Sequence, residues 1–245
     1  MTNSSTPTCT ACAHRLHPTA GTIYHKSSTS LHLWFYATYL MASTRCGISA
    51  KQLERELGVT YKTAWRMAYL IRTVLMVQDG EPLGGTVEAD EAYIGGKRRG
   101  DPPERPGPNS HKVPVFGVVQ RKGCVVAVTV ANVKKATLMP HIQKRVLPAT
   151  TVYTDELKSY DGLKKAGYHH DRVNHSEQVY VSGDVHVNTM EGFWSLLKRG
   201  IGGVYHSVSS KHLQGYLNEC AWRYSHRDDG RAQFETLLLR AATGD

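Results

Sequence analysis

Apolar residues recur every three to four positions from Leu31 to about Val77. They then fall into short β-rich runs from Thr86 to about Val130, before helical spacing returns. Leu31, Trp34, Phe35, Thr38 and Tyr39 share a helical stripe behind Ser30, a candidate N-cap. Ser49 and Gln52 have capping-box spacing ahead of Leu53 and Leu57, and Gly58 ends that short helix. Thr60 is placed to cap a longer helix running to about Val77.

A short helix, a Gly-containing turn and a longer helix have the outline of a helix-turn-helix. In the longer helix Ala64, Met67, Ala68, Ile71 and Leu75 share one face, and Lys62, Arg66 and Tyr69 lie opposite. A recognition helix needs that division, with one side packed and the other offering donors to phosphates and base edges. An ordinary helical hairpin with a solvated charged face has the same pattern.

Strands are predicted at Thr86 to Ile94, Val113 to Val119 and Cys124 to Val130, the last two joined by the turn Gln120-Arg121-Lys122-Gly123. Gly95 to Ser110, with four Pro, four Gly and four Lys/Arg, reads as a long loop. A helix at Lys135 to Val146, a strand at Thr151 to Thr154, a short helix near Tyr160 to Ala166 and a strand at Asp171 to Val173 follow. Helices are predicted from Asn188 and over Ser210 to His226. Three antiparallel strands, a helix, a further strand and then helices make an α/β order with a mixed sheet, which fits a ribonuclease-H-like fold.

Three acids stand where strands or helices could hold them rigidly. Asp90 lies within the first strand, where an acid is costly if buried unpaired. Asp155 follows Thr151-Val152-Tyr153-Thr154 at a strand end, where open α/β sheets place their sites. Glu191 begins a helix on which Asn188, Glu191, Ser195 and Lys198 share a polar arc, with Met190, Phe193, Leu196 and Leu197 opposite. Each acid also has a plainer reading. Asp90 could face solvent beside Glu88 and Glu91, Asp155 could cap the next helix, and Glu191 could close a capping box with Asn188. Three carboxylates from separate elements are, however, what hard divalent cations such as Mg²⁺ or Mn²⁺ require.

Composition narrows the classes. At 245 residues and 40% hydrophobic, the chain is long and apolar enough for a sizeable core, which excludes a mostly disordered protein. The net charge of +9 points to a polyanion partner. Residues 1–85 carry eight Lys/Arg against four Asp/Glu, and the remainder 22 against 17, so the excess is not a detachable tail. The longest apolar run, Leu31 to Ala42, is too short for a membrane helix and contains His32. No secretory signal is visible, and five cysteines do not make a disulfide framework, so a bacterial cytoplasm is expected. Cys46, Cys124 and Cys220 are expected in the core, and His169, His170 and His175 at surface or DNA-facing positions.

Together the residues resemble bacterial insertion-sequence transposases of the DDE type, in particular the group with a zinc ribbon, a helix-turn-helix and an ISXO-type catalytic domain. The matching stretches run in order over nearly the whole chain. They are Gly47-Ile48-Ser49-Ala50 through Trp65-Arg66-Met67, Val87-Glu88-Ala89-Asp90-Glu91 with Gly95-Gly96-Lys97, and Tyr153-Thr154-Asp155 with Tyr160-Asp161-Gly162-Leu163. The longest runs from His186 through Asn188-Thr189-Met190-Glu191-Gly192-Phe193-Trp194 to Lys198-Arg199-Gly200, and Trp222-Arg223-Tyr224 with His226-Arg227 forms a tail motif.

The resemblance implies a DNA transposase that binds the ends of an insertion sequence and catalyses metal-dependent strand cleavage and transfer. Asp90, Asp155 and Glu191 would hold two Mg²⁺ or Mn²⁺ ions, with Asn188 as a rival for the third position and 35 residues between the second and third acids. Lys198 matches the family's basic residue and Arg199 would join it on DNA phosphate. Lys62, Arg66 and Tyr69 would contact the element's ends. The implied partners are double-stranded DNA, both element ends and target, and further copies of the chain on DNA. The implied layout is a partial zinc ribbon or loop at 1–29, a helix-turn-helix at 30–80 and the catalytic domain at 81–245. The family's ribbon uses two Cys-x-x-Cys pairs, whereas this chain carries only Cys9 and Cys12. Structural zinc takes four ligands, so zinc is expected to bind weakly or not at all unless His14 and His17 complete the site. An inactive DNA-binding remnant and a nuclease of the same fold are the alternative functions.

Overall fold

The computed structural model describes residues 9–13, 17–95, 112–173, 186–229 and 232–243. His14, His175, Gly96, Lys97 and nearly all of the Gly95 to Ser110 loop lie outside them.

Three helices open the fold: α1 (Leu31–Ser43), α2 (Ala50–Leu57) and α3 (Tyr61–Leu70), the last continuing through a wider turn to Leu75. Ser49 caps α2 by accepting the Gln52 N–H, and Thr60 caps α3 by accepting that of Thr63. Ser30 makes no such bond. Gly58 ends α2 at φ +63°, a left-handed position that favours glycine. Ala64, Met67 and Ala68 are buried on α3, as its periodicity predicts, and two of the three are small enough to let α2 approach closely.

The sheet has five strands in the order β3-β2-β1-β4-β5. They are β1 (Thr86–Ile94), β2 (Val113–Gln120), β3 (Val125–Thr129), β4 (Thr151–Thr154) and β5 (His169–Arg172). β1, β2 and β3 pair antiparallel, and β4 and β5 run parallel to β1. This mixed sheet flanked by helices is the ribonuclease-H-like arrangement expected from the element order. α4 (Lys135–Arg145) covers one face, packing Leu138 and Ile142 over Val87, Ala89, Phe116 and Val118. α5 (Asn188–Gly200) and α6 (Leu213–Ser225) cover the other, packing Met190, Phe193, Trp194 and Leu217 over Ala92, Val115 and Val119.

Period-2 alternation therefore sends odd positions of β1 towards α4 and even positions towards α5. Gly117 pairs with Asp90 in the adjacent strand. A Cβ there would lie 2.2 Å from Met190 Cε and 2.7 Å from Trp194, so glycine is what lets α5 close onto the sheet.

The helical core draws on both ends of the chain. Trp222 of α6 and Leu237 and Ala241 of α7 (Ala232–Thr243) are buried with Trp34, Met41 and Met67. The periodicity did not predict α7. A buried triad joins α3's extension to α6. Arg72 Nε donates to Glu219 at 2.6 Å, Arg223 also donates to Glu219, and Arg72 donates to the Ile48 carbonyl at 3.2 Å. Burial disfavours the Glu219 charge, but the two arginines more than reverse this and hold its carboxyl below its ordinary range.

Two smaller expectations fail. Cys46 and Cys124 are exposed, so they are not core residues, whereas Cys220 is half-buried and packs against the core under α5 and α6. Leu196, expected on the packed face of α5, is 46% exposed, and Trp194 takes that place. Among the described residues no helix is long and apolar enough to cross a membrane.

Candidate active site

The parallel register of β1 and β4 pairs Thr86 with Thr151, Val87 with Val152 and Glu88 with Tyr153. Carried two residues on, it sets Asp90 beside Asp155, just past the end of β4. Carboxylate oxygens of Asp90, Glu91 and Asp155 lie within 4.8 Å of one another. Asp155 also accepts the Leu157 N–H at 3.0 Å, which turns the chain into the following helical turn. Its reading as a local cap and its reading as a site residue thus both describe its geometry.

Burial, and then the neighbouring Asp155 charge, push Asp90 up to about 6. The same two causes push Glu91 up to about 7. Carboxylates crowded together in a dry place resist ionising side by side.

Asp90 is oriented from α5, because Trp194 Nε1 donates to its Oδ2 at 3.0 Å. Glu191 adds to the negative potential at Asp90 from the same helix. Asp90, Glu91, Glu191, Ser195, Lys198 and Arg199 line a cleft of about 1380 Å³ between the α5 face and β1. The expected polar arc of α5 is thus partly confirmed: Asn188, Glu191, Ser195 and Lys198 are exposed on it.

The capping box is not formed. Asn188 makes no cap, and the helix start is held by a residue from the sheet. Glu88, fully buried, accepts the Met190 N–H at 3.0 Å and the Thr189 hydroxyl at 2.8 Å. Arg121 Nε balances its charge at 2.7 Å. Glu88 is therefore not a solvent-facing neighbour of Asp90. Its even position, two before Asp90, was the available signal, since both must face α5.

Glu91 also escaped the expected assignment. It faces the α4 side, where the buried Tyr160 hydroxyl donates to its Oε2 at 2.7 Å. Burial and then Glu91 hold that hydroxyl well above its ordinary range, so it stays a donor.

The remaining expected residues lie elsewhere. Lys62 and Arg66 are exposed on α3. Tyr69 is 38% exposed, stacked on Trp65 at 5.3 Å, with His212 edge-on to both rings. Cys9 is half-buried and Cys12 exposed, and among the described residues no third ligand closes on them. His170 is buried against Thr154 at 2.9 Å rather than facing DNA, and burial lowers its pKa to about 4.

Residues 82–225 match the ISXO2-like transposase domain. The chain belongs to the ISXO2-like transposase family. The transposase is 30% identical to an uncharacterised protein of the transposable element ISH50 of Halobacterium salinarum, across 95% of this chain and 83% of that one. It is 36% identical to a transposase-like protein of Haemophilus influenzae, over 42% of this chain and 83% of the other. Among solved structures, the Mos1 strand transfer complex is similar in outline at 12% identity and a TM-score of 0.36, covering 90% of this chain and 78% of that one. The transposase is thus a DNA-cleaving, metal-dependent enzyme of a mobile element, and its acidic site is of the kind that chemistry needs.

The site fits divalent cations. Three carboxylates within ligand distance make an all-oxygen donor set, which hard ions such as Mg²⁺ and Mn²⁺ prefer.

Proposed function

We propose that this transposase binds the ends of its insertion sequence through α3, and cuts and rejoins strands at the cleft beneath α5. Asp90, Asp155 and Glu191 would hold two Mg²⁺ or Mn²⁺ ions. Divalent ions bound there supply Lewis-acid chemistry, lowering the pKa of attacking water and offsetting charge on the leaving oxygen. The observation that carries this reading is the convergence of carboxylates and bases on one cleft, with Asp90 and Glu91 from β1 and Glu191, Lys198 and Arg199 from α5 all lining it.

The chain's own groups divide the work. Trp194 keeps Asp90 in one orientation through its indole N–H. Lys198 and Arg199 attract the phosphate backbone to the cleft and hold it near the carboxylates. Lys62 and Arg66, on the exposed side of α3, contact phosphates or base edges of the ends, and Tyr69 sits at the margin of that surface. An element has two ends and the described residues of each chain hold one carboxylate cluster, so the working complex on DNA is proposed to contain more than one copy. Zinc plays no part in this reading.

Replacing the acids tests it. Asp90→Asn, Asp155→Asn and Glu191→Gln should each lower strand cleavage by at least about 100-fold, because an amide replaces an anionic ligand poorly. Binding of end DNA should persist. The Asp90/Asp155 double variant should be hardly worse than either single one, as residues acting as a unit are not additive. Lys198→Ala should impair cleavage less. Normal cleavage by all three acid variants would overturn the reading. Normal cleavage by Glu191→Gln, with loss in Asn188→Ala, would move the third ligand to Asn188.

A further inference from the structure

We propose that Glu91 is a further ligand of the metal site, a carboxylate that reaches it from the face of the sheet opposite α5. The inference rests on the reading of Asp90 as a metal ligand. Asp90 and Glu91 are adjacent on β1, so their side chains leave opposite faces of the strand. Elsewhere on β1 the odd positions enter a closed core: Val87 and Ala89 are fully buried under α4. At Glu91 that closure ends, because β4 stops at Thr154 and the next register position is Asp155. An ion just off the end of β4 is therefore reachable from both faces. Oxygens bound at about 2.0–2.1 Å to one Mg²⁺ span about 4.2 Å across it. Adjacent oxygens on the same octahedral ion lie closer, about 2.9 Å apart, so the three carboxylates, within 4.8 Å of one another, share an ion once they move inward by about 1–2 Å.

The partners of Glu91 also point to a cation. Buried carboxylates with a structural task in this protein are neutralised by arginine: Glu88 by Arg121, and Glu219 by Arg72 and Arg223. Among the described residues Asp90 and Glu91 make no ion pair. Each is held instead by a neutral donor, Trp194 for Asp90 and Tyr160 for Glu91. A neutral donor on one oxygen orients a ligating carboxylate without cancelling its charge, as partners of metal ligands commonly do. The Tyr160 hydroxyl comes from a fully buried ring and leaves the carboxylate little freedom to swing away.

Mn²⁺ binding to the full chain without DNA, followed by electron paramagnetic resonance of the free ion, tests the proposal. Glu91→Gln keeps the shape of the side chain and an oxygen to accept the Tyr160 proton. It should stay folded by circular dichroism yet bind Mn²⁺ at least about 10-fold more weakly. Glu91→Asp, which keeps the charge, should bind better than Glu91→Gln. Wild-type affinity in Glu91→Gln, or equal affinity in the two variants, overturns the proposal. Asp90→Asn separates this failure from that of the broader reading. If it loses Mn²⁺ while Glu91→Gln does not, only the role of Glu91 falls. If neither loses it, the metal assignment of the whole cluster falls.

Discussion

Glu88 caps a helix from a different element, accepting the main-chain N–H of Met190 at 3.0 Å from a position two residues before Asp90 on the same strand. The first turn of any helix has N–H groups without helical partners, and a carboxylate there also opposes the helix dipole favourably. Here that carboxylate belongs to the central strand, so the strand bearing Asp90 and the helix bearing Glu191 and Trp194 are tied at one point. Glu88→Ala would remove the tie and leave the half-buried Arg121 without its charge partner. It should destabilise the protein by about 3–5 kcal/mol and lower cleavage through displacement of α5. Chemical denaturation checks the first outcome. Wild-type stability would mean that packing around Gly117 alone holds the helix.

The crowded acids predict a trade between stability and activity. Asp90 titrates near 6 in the folded chain, above its ordinary range, so ionising it at neutral pH works against folding. Asp90→Asn should therefore raise the stability of metal-free protein at pH 7.5 by about 1–2 kcal/mol, and the gain should vanish below the ordinary carboxylate range, where the unfolded chain is protonated too. Mg²⁺ should raise the melting temperature of the wild type and scarcely that of Asp90→Asn. Thermal melts with and without Mg²⁺ check both, and equal shifts in the two proteins would contradict the assignment.

Replacing Lys62 and Arg66 together with Ala should weaken binding to the element's ends without lowering the melting temperature, since both side chains are exposed. If both touch phosphate, the slope of log affinity against log salt should become shallower by about 2. Unchanged affinity and slope, measured by titration of end DNA at several salt concentrations, would leave α3 as a packing helix only.

The Arg72–Glu219–Arg223 triad predicts an acid limb in stability. Glu219 has its folded-state value below the unfolded one. Its stabilisation is thus complete above the ordinary carboxylate range and is lost as pH falls through the depressed value. Glu219→Gln leaves two buried arginines facing a neutral group. It should cost about 3–5 kcal/mol at neutral pH, and the difference from wild type should narrow under acid. A constant difference from pH 7 to pH 3 would show that Glu219 acts by packing rather than by charge.

Local chemistry by itself determined most of the elements. Ser49, Gly58 and Thr60 mark helix ends through bonds and dihedral angles that involve only near neighbours, and β4 lies at Thr151–Thr154 as predicted. Asp90 and Asp155 could be singled out because an acid in an apolar strand, or at a strand end, is unusual wherever it occurs, and Glu191 and Lys198 because they share the polar arc of one helix and match the family's motif. Tertiary structure decided what the neighbours of those acids do. Glu88, Asp90 and Glu91 look alike along the chain. One is neutralised by Arg121 and caps α5, one meets Trp194, and one meets Tyr160 from the opposite face. Those differences depend on partners 33 to 104 residues away. The same is true of Trp222 and α7, buried in the N-terminal helical core. Period and propensity report which side of an element is buried, whereas the partner on that side is set only when distant segments pack and their charges must be desolvated together.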